Sequence, residues 1–214
     1  MLDDLCVSRI FAEYGFDPRS VADPEFISKL FIYIDLLKKW SQKVSLTSIT
    51  DEEEIIRKHF CESLHCLKFV EIVDGRLADV GAGAGFPSLP IKLARPSLAV
   101  DLYEPNLKKA TFLNEVIRSL GLSRAMVIRE RIPEAQPHPL SLRHLTVRAV
   151  AGQEGILGWA RIALERRGNA ILWVGKRESD ALLSLRGWKW KRPILIPGKV
   201  GSYIVHGRKV DQAS

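Results

Sequence analysis

Glycines occupy positions 81, 83 and 85 of the run Asp79-Val80-Gly81-Ala82-Gly83-Ala84-Gly85-Phe86-Pro87, directly after the short apolar stretch 76–80. A glycine turn between an extended segment and a helical one admits few folds. Glycine reaches left-handed dihedrals and lets the backbone approach a ligand with no Cβ in the way. Further strand candidates follow at 98–103, 125–129, 144–150 and 169–175, with helical stretches at 87–95, 106–120 and 153–165 between them. This alternation predicts an α/β fold with a mostly parallel sheet, helices on both faces, and ligands bound beyond the carboxyl ends of the strands.

Glu104 closes the second strand candidate, about 20 positions past the glycines, where a carboxylate accepts hydrogen bonds from a ribose. A nucleoside-containing cofactor is the reading this supports. The dinucleotide fingerprint places Gly, then any two residues, then Gly; here Phe86 stands at the last position and the third glycine falls one residue early. Asp79 precedes the first glycine. A carboxylate there repels a pyrophosphate but can orient the ammonium group of an amino-acid moiety. S-adenosylmethionine has an adenine, a ribose and a methionine and no phosphate, so the pattern fits it better than a nicotinamide dinucleotide. The bland alternative for the glycines is a tight loop at a strand end.

The 214 residues suit one substantial α/β core with a helical extension. Residues 1–72 read as that helical extension and 73–214 as the cofactor-binding core, joined near Val73-Asp74-Gly75. Leu5, Ile10 and Phe11 mark a first amphipathic helix. Asp23-Pro24 is placed to cap and begin a second, whose apolar face takes in Phe26, Leu30, Phe31, Ile34, Leu37 and Trp40. Thr50-Asp51-Glu52-Glu53 has the capping-box pattern for a third. The tail, with apolar stretches at 188–190, 193–196 and 202–205, reads as a hairpin-like edge. A net charge of +7 suits a polyanionic partner. Cys6, Cys61 and Cys66 lack the spacing of a zinc site or a disulfide framework, so no metal is expected. No run is long and apolar enough for a membrane span and no leader opens the chain, so a cytoplasmic protein is expected.

Val44-Ser45-Leu46-Thr47, His59-Phe60-Cys61-Glu62-Ser63-Leu64, the glycine turn, Glu104, Lys108-Lys109, Phe112-Leu113 and Arg148-Ala149-Val150-Ala151 occur in an order and spacing that resemble the bacterial 16S ribosomal RNA guanine-N7 methyltransferases called RsmG, also GidB. The resemblance covers nearly the whole chain. It implies a class I methyltransferase, Rossmann-like fold with a mostly parallel seven-stranded sheet, S-adenosylmethionine as cofactor, and a guanine N7 of small-subunit ribosomal RNA, free or in the subunit, as acceptor. Carried over by position, Asp79, Gly81, Gly83, Gly85, Phe86, Ile132, Pro133 and Arg148 contact the cofactor or its pocket, and Glu104 holds the ribose. Where this chain has Ser88 the family often has Gly, and where it has Arg143 usually Asp.

Guanine N7 carries an exposed lone pair, so methylation there needs no general base, and no catalytic residue is singled out. Alignment and exclusion of water carry the chemistry. His59, Lys108, Lys109 and Lys176 are the candidates for the substrate side, against a packing role for His59 and solvated surface charge for the lysines. Arg148 can engage a phosphate or carboxylate bidentately, or form a structural ion pair. Two other functions stay open: a small-molecule methyltransferase, and a non-catalytic RNA-binding protein of the same fold. A monomer is the expected state.

Overall fold

The computed structural model describes residues 3–20, 23–72 and 74–210, so Val73 of the expected linker lies outside the described residues. Helix α1 (Asp4–Glu13) begins where the Asp3 carboxylate accepts from Cys6 N at 2.8 Å. Val7, Ile10 and Phe11 form its buried stripe, whereas Leu5, expected on that face, is 72% exposed. Helix α2 (Phe26–Ser41) starts later than Asp23-Pro24 suggests. Asp23 instead makes a turn ahead of it, its side chain accepting from Glu25 N at 2.9 Å and its carbonyl from Phe26 N at 3.1 Å. Helix α3 (Glu52–Ile55) is capped by Asp51 rather than Thr50, the Asp51 carboxylate accepting from Glu54 N at 2.9 Å. The chain continues through a π-helical turn, Ile56–Cys61, into α4 (Glu62–Leu64) and a 3₁₀ turn, His65–Lys68.

Strands and helices then alternate: β1 (Arg76–Val80), α5 (Ser88–Ala94), β2 (Ala99–Tyr103), α6 (Leu107–Ser119), β3 (Ala125–Ile128), β4 (Leu142–Arg148), α7 (Gln153–Ala163) and β5 (Leu164–Gly175). Next come α8 (Lys176–Leu183), β6 (Trp188–Trp190), β7 (Ile194–Leu195) and β8 (Ser202–Lys209). The sheet runs β3-β2-β1-β4-β5-β8-β6, and the two-residue β7 adds an eighth strand on β8. The first five strands are parallel; β8 is antiparallel to β5 and to β6. The strand order reverses between β1 and β4, and that switch point opens a crevice at the carboxyl ends.

The tail forms the expected antiparallel edge: β6 and β7 both pair with β8, and β8 lies between β5 and the outermost β6. Ile204, Val205 and His206 are consecutive and all buried, so β8 is covered on both faces as an interior strand must be. Helix α8 was not foreseen: only Ser179 and Leu182 of its residues are buried, too little apolar content to show a helical period.

One apolar cluster runs from the first helices across to α5 and α6, uniting Phe11, Leu30, Leu37, Phe60, Leu89 and Phe112. Full burial of each such side chain stabilises by roughly 1.5–3 kcal/mol. Tyr33 sits at its centre, its ring stacked on Phe86 at 5.3 Å and edge-on to Phe60 at 5.3 Å. Its hydroxyl donates to Ala84 O at 2.5 Å, which ties α2 to the glycine turn. The opposite face of the sheet packs Leu145, Val147, Leu157, Trp159 and Leu172. The crevice is therefore held from both sides by rigid elements.

Candidate cofactor and acceptor site

The glycine turn folds back on the end of β2. Gly81 N and Ala82 N donate to Tyr103 O at 2.9 and 3.1 Å, Gly83 N donates to Glu104 Oε2 at 2.9 Å, and Gly85 N to Ala82 O at 2.6 Å. Four of the turn's amides thus have internal acceptors. A phosphate-binding turn presents such groups to its anion; this one does not, which disfavours a pyrophosphate ligand.

Beside the turn lies a cavity of about 480 Å³. Val80 and Gly81 reach it from β1; Tyr103 ends β2, and Glu104, Pro105 and Asn106 follow it; Glu130, Arg131 and Ile132 follow β3; Ala149, Val150 and Ala151 follow β4. Lys109, in the first turn of α6, completes the lining. Glu104 is 6% exposed, and its Oε1 accepts from Asn106 N at 2.9 Å while Oε2 holds Gly83 N. A carboxylate has roughly four acceptor positions, so this anchored group keeps lone pairs for vicinal hydroxyls.

Of the residues expected at the cofactor, Gly81, Glu104 and Ile132 line this cavity, and so does Lys109, expected on the substrate side. The others are placed elsewhere. Asp79 is buried beneath the turn, its Oδ2 accepting from Ser88 Oγ at 2.6 Å and its Oδ1 from Thr146 Oγ1 at 2.7 Å. Burial pushes its carboxyl up to about 6 against the pull of those hydroxyls. Ser88, where the family often has Gly, is thus a partner of the turn's own carboxylate. Gly83 faces open space, the nearest atom to an added Cβ being Gly81 O at 3.7 Å. Gly85 packs instead on Tyr33 and Leu89. Phe86 is buried between Tyr33 and His59, and Pro133 is exposed beside Ile132.

Arg148, expected at the cofactor, directs its guanidinium at the helical region: Glu62 Oε2 and Lys58 O at 2.7 Å, and Ser63 Oγ at 3.4 Å. A buried carboxylate, a carbonyl of the π-helical turn and the Ser63 hydroxyl thus take up its donors. His59 is likewise a packing residue, its ring 4.6 Å from Phe86 at 15° and its Nε2 2.9 Å from Thr47 Oγ1. Burial, aided by the charge of Arg148, pushes its pKa down to about 3, so it is neutral. Lys108 is exposed, and Lys176 is exposed and paired with Asp180 at 2.7 Å. Arg143 lies at the opposite end of the sheet, bound to Asp74 at 2.5 Å. No metal-holding group of three or more His, Cys, Asp or Glu occurs among the described residues, and no helix is long and apolar enough to cross a membrane.

Residue reading missed Tyr103, Asn106, Glu130, Arg131 and the side walls at 149–151. The rule that ligands sit beyond strand carboxyl ends could have named them, since each lies at or just after one. On the far side of 149–151 lies a second cavity of about 470 Å³, lined also by Gly152, Gln153, Trp173, Val174, Gly175 and Glu178.

Among solved structures the fold is similar to a SAM-dependent methyltransferase from Aquifex aeolicus, with TM-score 0.62, 13% identity, and 73% of this chain and 93% of that one covered. M. jannaschii TYW2 in complex with AdoMet is similar with TM-score 0.57 and 16% identity over 76% of this chain and 78% of that one. Curated relatives named ribosomal RNA small subunit methyltransferase G include one from Xylella fastidiosa, 39% identical over 81% of this chain and 80% of its own length. Another, from Xanthomonas campestris pv. campestris, is 35% identical over 84% of each. A crevice at the switch point of a parallel sheet shows only a fold, but the family model for rRNA small subunit methyltransferase G, GidB, matches residues 26–187, and the chain belongs to that family.

Proposed function

We propose that this protein transfers the methyl group of S-adenosylmethionine to N7 of a guanine in small-subunit ribosomal RNA. The observation that carries the reading is Glu104, pinned by Gly83 N and Asn106 N at the mouth of a cavity whose turn amides are already satisfied. That combination suits a ribose attached to an amino acid rather than to a pyrophosphate. When bound, the cofactor supplies an electrophilic methyl group on sulfur; the N7 lone pair forms the new N–C bond and the C–S pair stays with sulfur. No proton leaves the guanine. The chain's own work is therefore to hold and to exclude water: Glu104 accepts from the ribose, Tyr103 and Ile132 give apolar cover, and Glu130 offers acceptors to an amino group.

Residues 1–72 act in this reading as a helical cap on the 73–214 core, tied to it by Arg148 and by Trp173 Nε1 donating to Glu62 O at 2.9 Å. In this reading the protein works as a monomer where ribosomal subunits are, in the cytoplasm. The test is to incubate the protein with methyl-labelled S-adenosylmethionine and small ribosomal subunits or their naked RNA, then map the label by cleavage at N7-methylguanine. Label at one guanine N7 is the expected result; none in either substrate overturns the reading, and label on another base atom overturns the N7 assignment.

A further inference from the structure

Strands β4 and β5 end side by side, with Arg148 opposite Trp173 in the register. Beyond that pair the two chains part and enclose the second cavity, which shares Ala149, Val150 and Ala151 with the cofactor cavity. A group seated there has one edge toward the cofactor and the other toward the start of α8.

The residue waiting at that far edge is Glu178. Glu178 is exposed, and its carboxylate folds back across the end of β5, its Oε2 2.7 Å from where a Cβ on Gly175 would lie. Unlike the neighbouring Lys176, which pairs with Asp180, Glu178 has no hydrogen-bond or ion-pair partner among the described residues. Trp173 cannot turn toward it, since its indole N–H is committed to Glu62 O. The cavity thus has a fixed aromatic wall and an unengaged carboxylate at its edge.

An ionised carboxylate only accepts hydrogen bonds. Guanine presents two adjacent donors, N1–H and N2–H, on its Watson–Crick edge, whereas adenine presents an acceptor at N1. N7 lies on the opposite side of the purine. We infer that the second cavity receives the acceptor guanine with its N1–H and N2–H against Glu178 and its N7 toward the cofactor, making Glu178 the residue that selects guanine. Glu178 also acts on the rate. Transfer moves positive charge from sulfur to the purine ring, and a fixed negative charge beside that ring is attracted more strongly in the transition state than before it.

This rests on the methyl-transfer reading above, and the experiment separates the two. Wild type, Glu178→Ala and Glu178→Gln are compared for label transfer to small ribosomal subunits and for S-adenosylmethionine affinity by calorimetry. Losing both charge-assisted hydrogen bonds in Glu178→Ala should lower kcat/KM for the RNA by about 100-fold, and Glu178→Gln, whose amide oxygen still accepts one neutral bond, by about 10-fold, with cofactor affinity unchanged. Guanosine and inosine, which lacks the N2 amino group, are then titrated into cofactor-saturated protein and followed by NMR. The wild type should prefer guanosine, and Glu178→Ala should bind both alike. Variants that transfer at the wild-type rate, or that keep the preference for guanosine, overturn the assignment. If the wild type labels no RNA, the functional reading fails by itself, and the nucleoside titration still decides the role of Glu178.

Discussion

Gly81, Gly83 and Gly85 look equivalent in the sequence, yet each answers a different constraint. All three have positive φ, +69°, +57° and +88°. At Gly81 an added Cβ would meet Val150 Cγ2 at 2.5 Å, and Val150 belongs to the wall shared by both cavities. Gly81→Ala should therefore displace that wall and weaken cofactor binding at least tenfold in calorimetry, about 1.4 kcal/mol. Gly83 faces open space, so Gly83→Ala carries only the left-handed backbone strain, about 1–2 kcal/mol of stability in a urea titration. Equal cofactor losses in the two variants would contradict this division. Glu104→Ala removes the proposed ribose acceptor and strands Gly83 N and Asn106 N; cofactor affinity should fall by about 1–3 kcal/mol, and a wild-type isotherm would reject Glu104 as the ribose ligand.

At the scale of elements, two buried arrangements bind parts distant in the chain. Arg148 at the end of β4 reaches Glu62 at the start of α4, and Lys199 approaches the same carboxylate at 3.3 Å. Removing one partner of a buried pair leaves the other uncompensated, so Glu62→Ala should cost about 3–5 kcal/mol in chemical denaturation. The second arrangement crosses β4, β5 and β8. His206 Nε2 is 2.8 Å from Asn169 Oδ1, Asn169 Nδ2 is 3.2 Å from His144 Nδ1, and His144 Nε2 is 3.3 Å from Asp74 O. This chain of donors works with both imidazoles neutral, and burial pushes His144 and His206 down to about 4 from 6.5. Because the unfolded chain takes up those protons first, their contribution is complete above pH 6.5 and is lost as pH falls toward 4. Each histidine accounts for about 3 kcal/mol of that loss at 1.36 kcal/mol per unit. Asp79 works the other way: raised to about 6 from 3.8, it favours the folded state as pH falls through that window. These two histidines, together with His59 pushed down to about 3, outweigh one carboxyl, so unfolding free energy should drop between pH 6.5 and 4. His206→Gln should flatten that slope, and an unchanged slope would refute the histidine origin.

For the whole molecule, the net charge of +7 sets an expectation about RNA. If the proposed partner is ribosomal RNA, its affinity should fall linearly in log–log form with salt, with a slope near −0.7 to −0.9 per phosphate neutralised. Salt-insensitive transfer would favour a small-molecule acceptor. The alternation of strands and helices was legible because each parallel strand is an apolar run bounded by turn residues; β1, β2 and α6 lie within a residue or two of their sequence ranges. Helix α8 was not legible, since half-exposed helices of few apolar residues leave no period. The place of β8 was hidden for another reason: adjacency to β5 depends on which strand covers which edge, a choice made by pairing across the sheet.

The site divides in the same way. Local rules sufficed for the turn and for Glu104, because glycine dihedrals and a carboxylate at a strand end are properties of a few consecutive residues. Only the tertiary structure decided that Arg148 turns to Glu62 and His59 stacks on Phe86, that Gly85 accommodates Tyr33, and that residues 149–151 wall two cavities at once. Those outcomes rest on contacts between segments far apart in the chain, whose burial and shape exist only in the folded molecule.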